Sequence, residues 1–181
     1  MIAETTLIAQ LKNPLTQEQA FKTLLSEYKE RLYWHIRKIV ISHDDADDVL
    51  QNTFIKVYRN INNFKAESKL YSWMYRIATN ESITFINKRA KRNNVDINEM
   101  QCQLIDNLEA DVYFDGNEMQ LQLQKAIAIL PQKQQLVFNM KYFDDMKYKD
   151  ISEVLDTSIG ALKASYHHAV KKIENFLTET D

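Results

Sequence analysis

The sequence predicts an all-α protein built as two small helical domains joined by an acidic linker. Three observations carry that expectation. The 181 residues include only two glycines and two prolines, too few for the frequent turns of an all-β fold. Apolar residues recur at three- and four-residue spacing over stretches long enough to form helices. Charge is segregated along the chain: residues 56–92 carry 9 basic and 2 acidic side chains (net +7), and residues 93–120 carry 7 acidic and no basic ones (net −7). The whole-chain charge of −2 hides this asymmetry, which points to partners of opposite sign for the two blocks.

Taken in order, residues 5–12 read as a short helix ended by Asn13-Pro14, and Thr16 reads as the N-cap of the next. Phe21, Leu24, Leu25, Tyr28, Leu32, Tyr33, Ile36, Ile39 and Val40 then form one apolar face of a long amphipathic helix. Acids at 44, 45, 47 and 48 suit the N-terminus of a second long helix, running to about Asn60. It places Val49, Leu50, Thr53, Phe54 and Val57 on one side and Asp47, Asp48, Gln51, Asn52, Lys56 and Arg59 largely elsewhere. After a loop at 61–66, Ser68 is expected to cap a third long helix, SKLYSWMYRIATNESITFINKRAKR (68–92). Leu70, Met74, Ile77 and Phe85 supply its buried line, with Ile86 near the edge. It opens with Tyr71, Trp73, Tyr75 and Asn80 and closes with Lys88, Arg89, Lys91 and Arg92. Bases stack on aromatic faces and phosphates pair with cations, so this order suits a helix that holds nucleic acid. A core helix with a solvated basic end reads the same way. Residues 1–92 form the first domain.

Periodicity fades across 93–117, expected to be an acidic linker with at most a helical turn. Its apolar residues (Leu104, Ile105, Leu108, Val112, Tyr113, Phe114) are numerous enough to dock on something. Residues 118–181 form the second domain. Helices are expected over Met119–Leu130, from Pro131 to about Tyr142, over 148–155 and from Ile159 to about Leu177, the last capped by Ser158. A short helix, a three-residue turn and a longer amphipathic helix make a helix-turn-helix pattern. Ile151, Val154 and Leu155 should pack on Ile159, Leu162 and Tyr166. That leaves Lys163, Ala164, Ser165, His167 and His168 to face a major groove, with Lys171 and Lys172 at the cationic end.

Enzyme signatures are not found: there is no glycine-rich phosphate loop, no His-Glu-x-x-His and no paired cysteine. No cofactor, metal or small-molecule substrate is expected. The adjacent His167 and His168 point in different directions on a helix and do not chelate one metal easily. The lone Cys102 excludes an internal disulfide framework and fits a reducing compartment. No apolar run approaches the roughly 20 residues needed to cross a bilayer. The expectation is a soluble, cytoplasmic protein.

Two blocks carry a family resemblance. DDADDVLQNTFIKVYRNI (44–61), followed by Phe64 and YSWMYRIATN (71–80), resembles domain two of the bacterial sigma-70 family, in its small extracytoplasmic-function (ECF) group. LPQKQQLVFNMKYFDDMKYKDISEVLDTSIGALKASYHHAVKKIENFL (130–177) resembles domain four of the same factors. The resemblance implies a factor that binds core RNA polymerase, directs it to promoter −10 and −35 elements and promotes DNA melting, without catalysis of its own.

It also assigns roles. Asp47, Asp48, Gln51, Asn52, Phe54, Lys56 and Arg59 would dock on the β′ clamp coiled coil, and the helix near 131–142 on the β flap. The loop Phe64–Lys69, with Phe64, Lys65 and Ser68, would pocket a flipped −10 base. Tyr71, Trp73, Tyr75, Arg76 and Asn80 would read and prop open that element, with Lys88, Arg89, Lys91 and Arg92 on phosphates upstream. Lys163, Ala164, Ser165, His167, His168 and Lys171 would meet the −35 element. The acidic linker would thread the active-centre cleft and RNA exit channel, and an anti-sigma factor is a further implied partner.

The sequence departs from the family where Ala161 stands for Thr, Ser152 for Ala, and Gln135, Lys163 and His168 for Arg. With no Arg on the recognition helix, −35 reading rests on few bases or on DNA shape. A polymerase-independent DNA-binding regulator and a protein-binding α-helical adaptor share the same pattern.

Overall fold

The computed structural model describes residues 3–106 and 118–180, and every regular element among them is helical. The order is α1 (Glu4–Lys12), α2 (Gln17–Val40), α3 (His43–Asn60), a 3-10 turn at Ile61–Asn63, α4 (Leu70–Asn93) and α5 (Ile97–Asp106). From residue 118 follow α6 (Glu118–Ala128), α7 (Gln132–Phe138) running into a π turn over Asn139–Phe143, α8 (Tyr148–Leu155) and α9 (Ile159–Thr180). None of the described helices is long and apolar enough to cross a membrane.

The apolar stripes account for the first bundle. Leu24, Leu32 and Ile36 of α2 meet Val49, Leu50 and Val57 of α3 and Leu70, Met74 and Ile86 of α4, and Leu7 and Leu11 of α1 close the end. Each such side chain contributes about 1.5–3 kcal/mol on burial. That packing sustains helices that are marginal alone. Ile77 and Phe85, expected in the buried line, are half-buried, whereas Tyr75 is fully buried. The reason is that α4 packs against α2 and α3 and also against α8, so it has no single polar face.

Helix starts differ from expectation in an informative way. Ser42 caps α3, its hydroxyl accepting from Asp45 N at 3.4 Å. Ser68 does not cap α4. The helix starts at Leu70, whose N–H donates to the Glu4 carboxylate of α1 at 3.1 Å. An orphan N-terminal amide is thus satisfied by a carboxylate from another helix. Thr16 does not cap α2 either; its hydroxyl donates to Gln10 O.

Within the acidic stretch, expected to be a linker with a helical turn, the ten residues Ile97–Asp106 form α5. Met100, Gln101 and Ile105 of α5 are buried. Gln101 Nε2 donates to Ile39 O at 3.2 Å, and its Oε1 accepts from Gln135 Nε2, which also donates to Ala128 O. A satisfied buried amide pair therefore joins the two halves. Leu108, Val112, Tyr113 and Phe114 lie outside the described residues.

In the C-terminal half Asp156 adopts a left-handed conformation (φ 48°) to end α8. Ser158 Oγ accepts from Ala161 N at 3.3 Å to start α9, as expected. Ile151, Val154 and Leu155 pack with Leu162 and Tyr166. Ile159 does not join them: as the first residue of α9 it is 42 % exposed. Leu136, Val137, Met140, Met146, Ile151, Val154 and Leu162 belong to the same continuous core as the residues of α1 to α4. A smaller cluster of Leu130, Phe138, Ala169 and Ile173 lies between α6, α7 and α9.

Gly160 stands in the first turn of α9, and a Cβ added there would meet nothing within 4 Å. Gly160→Ala is expected to stabilise the fold by about 0.5–1 kcal/mol through helix propensity. That is roughly 1–4 °C in a thermal melt. A lowered melting temperature would contradict the open surroundings of this residue.

Candidate nucleic-acid interface

The outer surface of α3 is polar with an apolar centre. Asp48, Gln51, Asn52, Lys56 and Arg59 are exposed, at helical spacing. Between them lie Ile55 and Tyr58, 46 % and 42 % exposed, with the Tyr58 ring edge-on to Phe21. Two of the expected docking residues behave differently. Phe54 is buried, edge-on to Phe21, because it falls on the apolar stripe of α3. Asp47 is half-buried, with a carboxylate oxygen 3.7 Å from His43 Nε2. Sequence reasoning missed Ile55 and Tyr58, since an isolated apolar residue in a polar run carries no periodic signal.

The α4 aromatics divide between core and surface. Tyr75 is 1 % exposed, its ring 4.6 Å from His35 and 4.5 Å from Tyr71. Burial pushes its hydroxyl far above the ordinary tyrosine value. Burial also pushes Tyr71 up to about 12, against the opposing Arg31 guanidinium 5.1 Å from its ring. Trp73 is half-buried, its ring 5.0 Å from Phe64. Arg76 and Asn80 are exposed one turn apart.

The loop before α4 is clamped at both ends by α1. Lys12 Nζ donates to Phe64 O at 2.5 Å, and Glu4 holds Leu70 N. Phe64 itself, expected to touch a base, is 3 % exposed and packed inward on Trp73, so it shapes the loop from below. Lys65, Ala66 and Glu67 are exposed, Ser68 is half-buried, and Ala66 has φ 56°. No periodic or compositional signal could have tied α1 to this loop.

At the far end of α4, Lys88, Lys91 and Arg92 are exposed. Arg89 is half-buried and donates to the Asp45 carboxylate in the first turn of α3. Its charge is committed within the fold, a pairing between residues 44 apart that spacing cannot reveal.

On α9, Lys163, Ala164, His167, His168 and Lys171 are exposed along one side, and Ser165 is half-buried. Lys163 Nζ sits 5.9 Å from the Tyr148 ring centre. The two histidine rings are 5.9 Å apart and tilted by 55°. This is an exposed helix face bearing two cations and two imidazoles, carried on a helix-turn-helix.

The two candidate surfaces are not equally open. α8 lies against the side of α4 that carries Arg76, whose guanidinium donates to Glu153 O. Asn80 lines a cleft of about 440 Å³ shared with Gln132, Lys133, Asp156 and Thr157. Lys69 pairs with Asp150 at 2.8 Å.

Residues 24–92 match the family model Sigma-70 region 2, and residues 120–173 match Sigma-70, region 4. The ECF RNA polymerase sigma-E factor of Haemophilus influenzae is 31 % identical over 166 residues, covering 87 % of this chain and 87 % of that protein. The ECF RNA polymerase sigma factor SigW of Bacillus subtilis is 27 % identical over 170 residues, covering 90 % and 91 %. Among solved structures, CnrH in complex with the cytosolic domain of CnrY has a TM-score of 0.72 at 19 % identity, covering 99 % of this chain and 100 % of that one. The sigma factor RpoE of Bartonella quintana, in complex with the anti-sigma factor NepR, has a TM-score of 0.67 at 20 % identity, covering 87 % and 96 %. At those identities the structural likeness speaks for the fold.

Proposed function

The chain belongs to the extracytoplasmic-function group of the sigma-70 family, and from that premise we propose that it is a transcription initiation factor of the cytoplasm. It binds core RNA polymerase, directs it to promoters with −10 and −35 elements and promotes melting of the duplex. It is a regulatory protein with no catalysis of its own. The observation that carries this reading is that one chain matches Sigma-70 region 2 over residues 24–92 and Sigma-70, region 4 over residues 120–173, in family order.

The division of labour follows from chemistry. The α3 face, with Ile55 at its centre and Asp48, Gln51, Asn52 and Arg59 around it, has the apolar centre and polar rim of a protein interface. It is assigned to the polymerase clamp. Arg76, Asn80 and the exposed part of the 64–69 loop are assigned to −10 bases, and Lys88, Lys91 and Arg92 to phosphates. The exposed side of α9 is assigned to the −35 major groove, with Lys163 and the imidazoles in place of arginine. Each captured base contributes about 1–3 kcal/mol. Unstacking costs about 1.4 kcal/mol per step, so several captured bases together offset local melting. An anti-sigma protein is the natural antagonist, since the Bartonella quintana neighbour is held by one.

Run-off transcription from a matched promoter by core polymerase tests the reading. Transcription that depends on added chain is expected. Tight, specific duplex binding by the chain alone, with no effect on core polymerase, would replace this reading with a polymerase-independent regulator.

Docking has its own test. Ile55→Arg puts a charge at the centre of the α3 face and is expected to weaken core binding at least tenfold, about 1.4 kcal/mol or more. Since Ile55 is 46 % exposed, the melting temperature should hold. Unchanged affinity for core in a pull-down or titration would remove α3 from the interface.

A further inference from the structure

We propose that Glu4 and Lys12 of α1 are positioning residues for base capture: they hold the two ends of the 64–69 loop so that its exposed middle is already shaped to receive a base. The proposal rests on the assignment of that loop to −10 bases. It adds an element that lies outside the Sigma-70 region 2 match, which begins at residue 24.

α1 carries a charge at each end of its apolar stripe. Leu7 and Leu11 are buried, Ile8 is half-buried, and Glu4 and Lys12 share their face at the helical spacing 4, 7, 8, 11, 12. The stripe seats α1 on α2 and on the 3-10 turn at Ile61–Asn63. That seating brings the two charged ends to the loop. Lys12 Nζ donates to Phe64 O, and the Glu4 carboxylate accepts from Leu70 N. Both bonds go to main-chain atoms, so they fix the path of the loop whatever side chains it carries. Lys69, the residue before α4, makes no side-chain capping bond. The Glu4 carboxylate takes that place at the positive end of the helix.

Two grips at this separation force an arch. Residues eight apart on a helix lie about 12 Å apart along its axis. Six extended residue steps, as from Phe64 to Leu70, can span about 20 Å. The surplus chain leaves the surface at Lys65, Ala66 and Glu67, all exposed. Ala66 stands at the bend with φ 56°, a left-handed conformation that a residue with a Cβ keeps only where its surroundings over-determine it. From below, the buried Phe64 ring packs on Trp73. A loop shaped in advance loses less freedom when a base enters, which strengthens capture without a new contact.

Abasic substitution in the holoenzyme complex tests this. Core polymerase with the chain is titrated with a promoter whose −10 non-template strand is single-stranded, each −10 base being replaced in turn by an abasic site. Wild type is expected to lose at least fivefold in affinity at the position the loop captures. The Glu4→Ala/Lys12→Met chain should lose less than twofold there and respond as wild type at the other positions. Glu4→Gln, which keeps an acceptor for the Leu70 amide, should retain wild-type discrimination. In the free chain, hydrogen exchange of the Leu70 amide should be at least tenfold faster in the double variant, at unchanged helical content by circular dichroism. Wild-type discrimination in the double variant, or its loss in Glu4→Gln, would overturn the proposal. So would an equal loss of affinity at every position, unchanged Leu70 exchange, or loss of helical content, each of which makes α1 a part of the fold alone. A wild type indifferent to every abasic site would instead remove base capture from the loop, and the proposal with it; the two failures are therefore distinct.

Discussion

Tyr75→Ala is expected to cost about 3–5 kcal/mol, the range for emptying a buried aromatic site. That corresponds to a fall in melting temperature of roughly 6–20 °C for a chain of this size. Tyr75→Phe should stay within about 1 kcal/mol of wild type, since conservative changes of volume are tolerated. The two outcomes differ because the ring, not the hydroxyl, holds the position. The ring is 1 % exposed between Tyr71 and His35, while the hydroxyl makes a long 3.5 Å contact with Arg31 O and a hydrogen bond with the half-buried Tyr71. Thermal denaturation followed by circular dichroism measures both. A Tyr75→Ala chain that melts like wild type would place the ring outside the core and return it to the DNA-reading set.

This aromatic illustrates what the sequence makes legible. The long stripes of α2 and α3 were readable because each faces one core, so a 3.6-residue period survives in the apolar positions. α4 resists the same reading because it is buried on two sides, by α2 and α3 and by α8. Its small polar residues Ser72, Thr79 and Ser82 are buried while Arg76 and Asn80 between them are exposed. Thr79 and Ser82 satisfy their hydroxyls on the carbonyls four residues back, which lets polar residues occupy a core without leaving a periodic mark.

The candidate site was legible as residue types and order rather than as availability. Lys65, Asn80, Lys88 and the exposed side of α9 stand on the surface as expected. Phe54 and Phe64 are instead core residues, and Arg89 is bound to Asp45. These differences depend on contacts between residues distant in sequence, as do the α1 clamp on the 64–69 loop and the bonds of Asp144 with His35 and Lys38. Local spacing carries no record of them. The α5 helix was underestimated for a related reason: beside Met100 and Ile105, its place depends on the Gln101–Gln135 pair and on Ile39 O, polar contacts between residues distant in sequence.

Asn80→Ala is expected to have the largest functional effect. Asn80 is exposed, so its loss should leave folding and core binding intact. A side chain that reads or holds an unpaired base contributes about 1–3 kcal/mol. Removing it should therefore lower promoter opening by roughly 5- to 150-fold, at 1.4 kcal/mol per factor of ten. The effect should appear in the opening step and not in the affinity of the chain for core polymerase.

The direct measurement is the permanganate reactivity of unpaired −10 thymines in a promoter incubated with core polymerase and this chain. Reactive thymines with wild type, and a loss of at least fivefold with Asn80→Ala at equal holoenzyme concentration, are the expected result. Unreactive thymines with wild type, or equal reactivity with Asn80→Ala, would contradict the assignment of α4 as the helix that captures melted promoter bases.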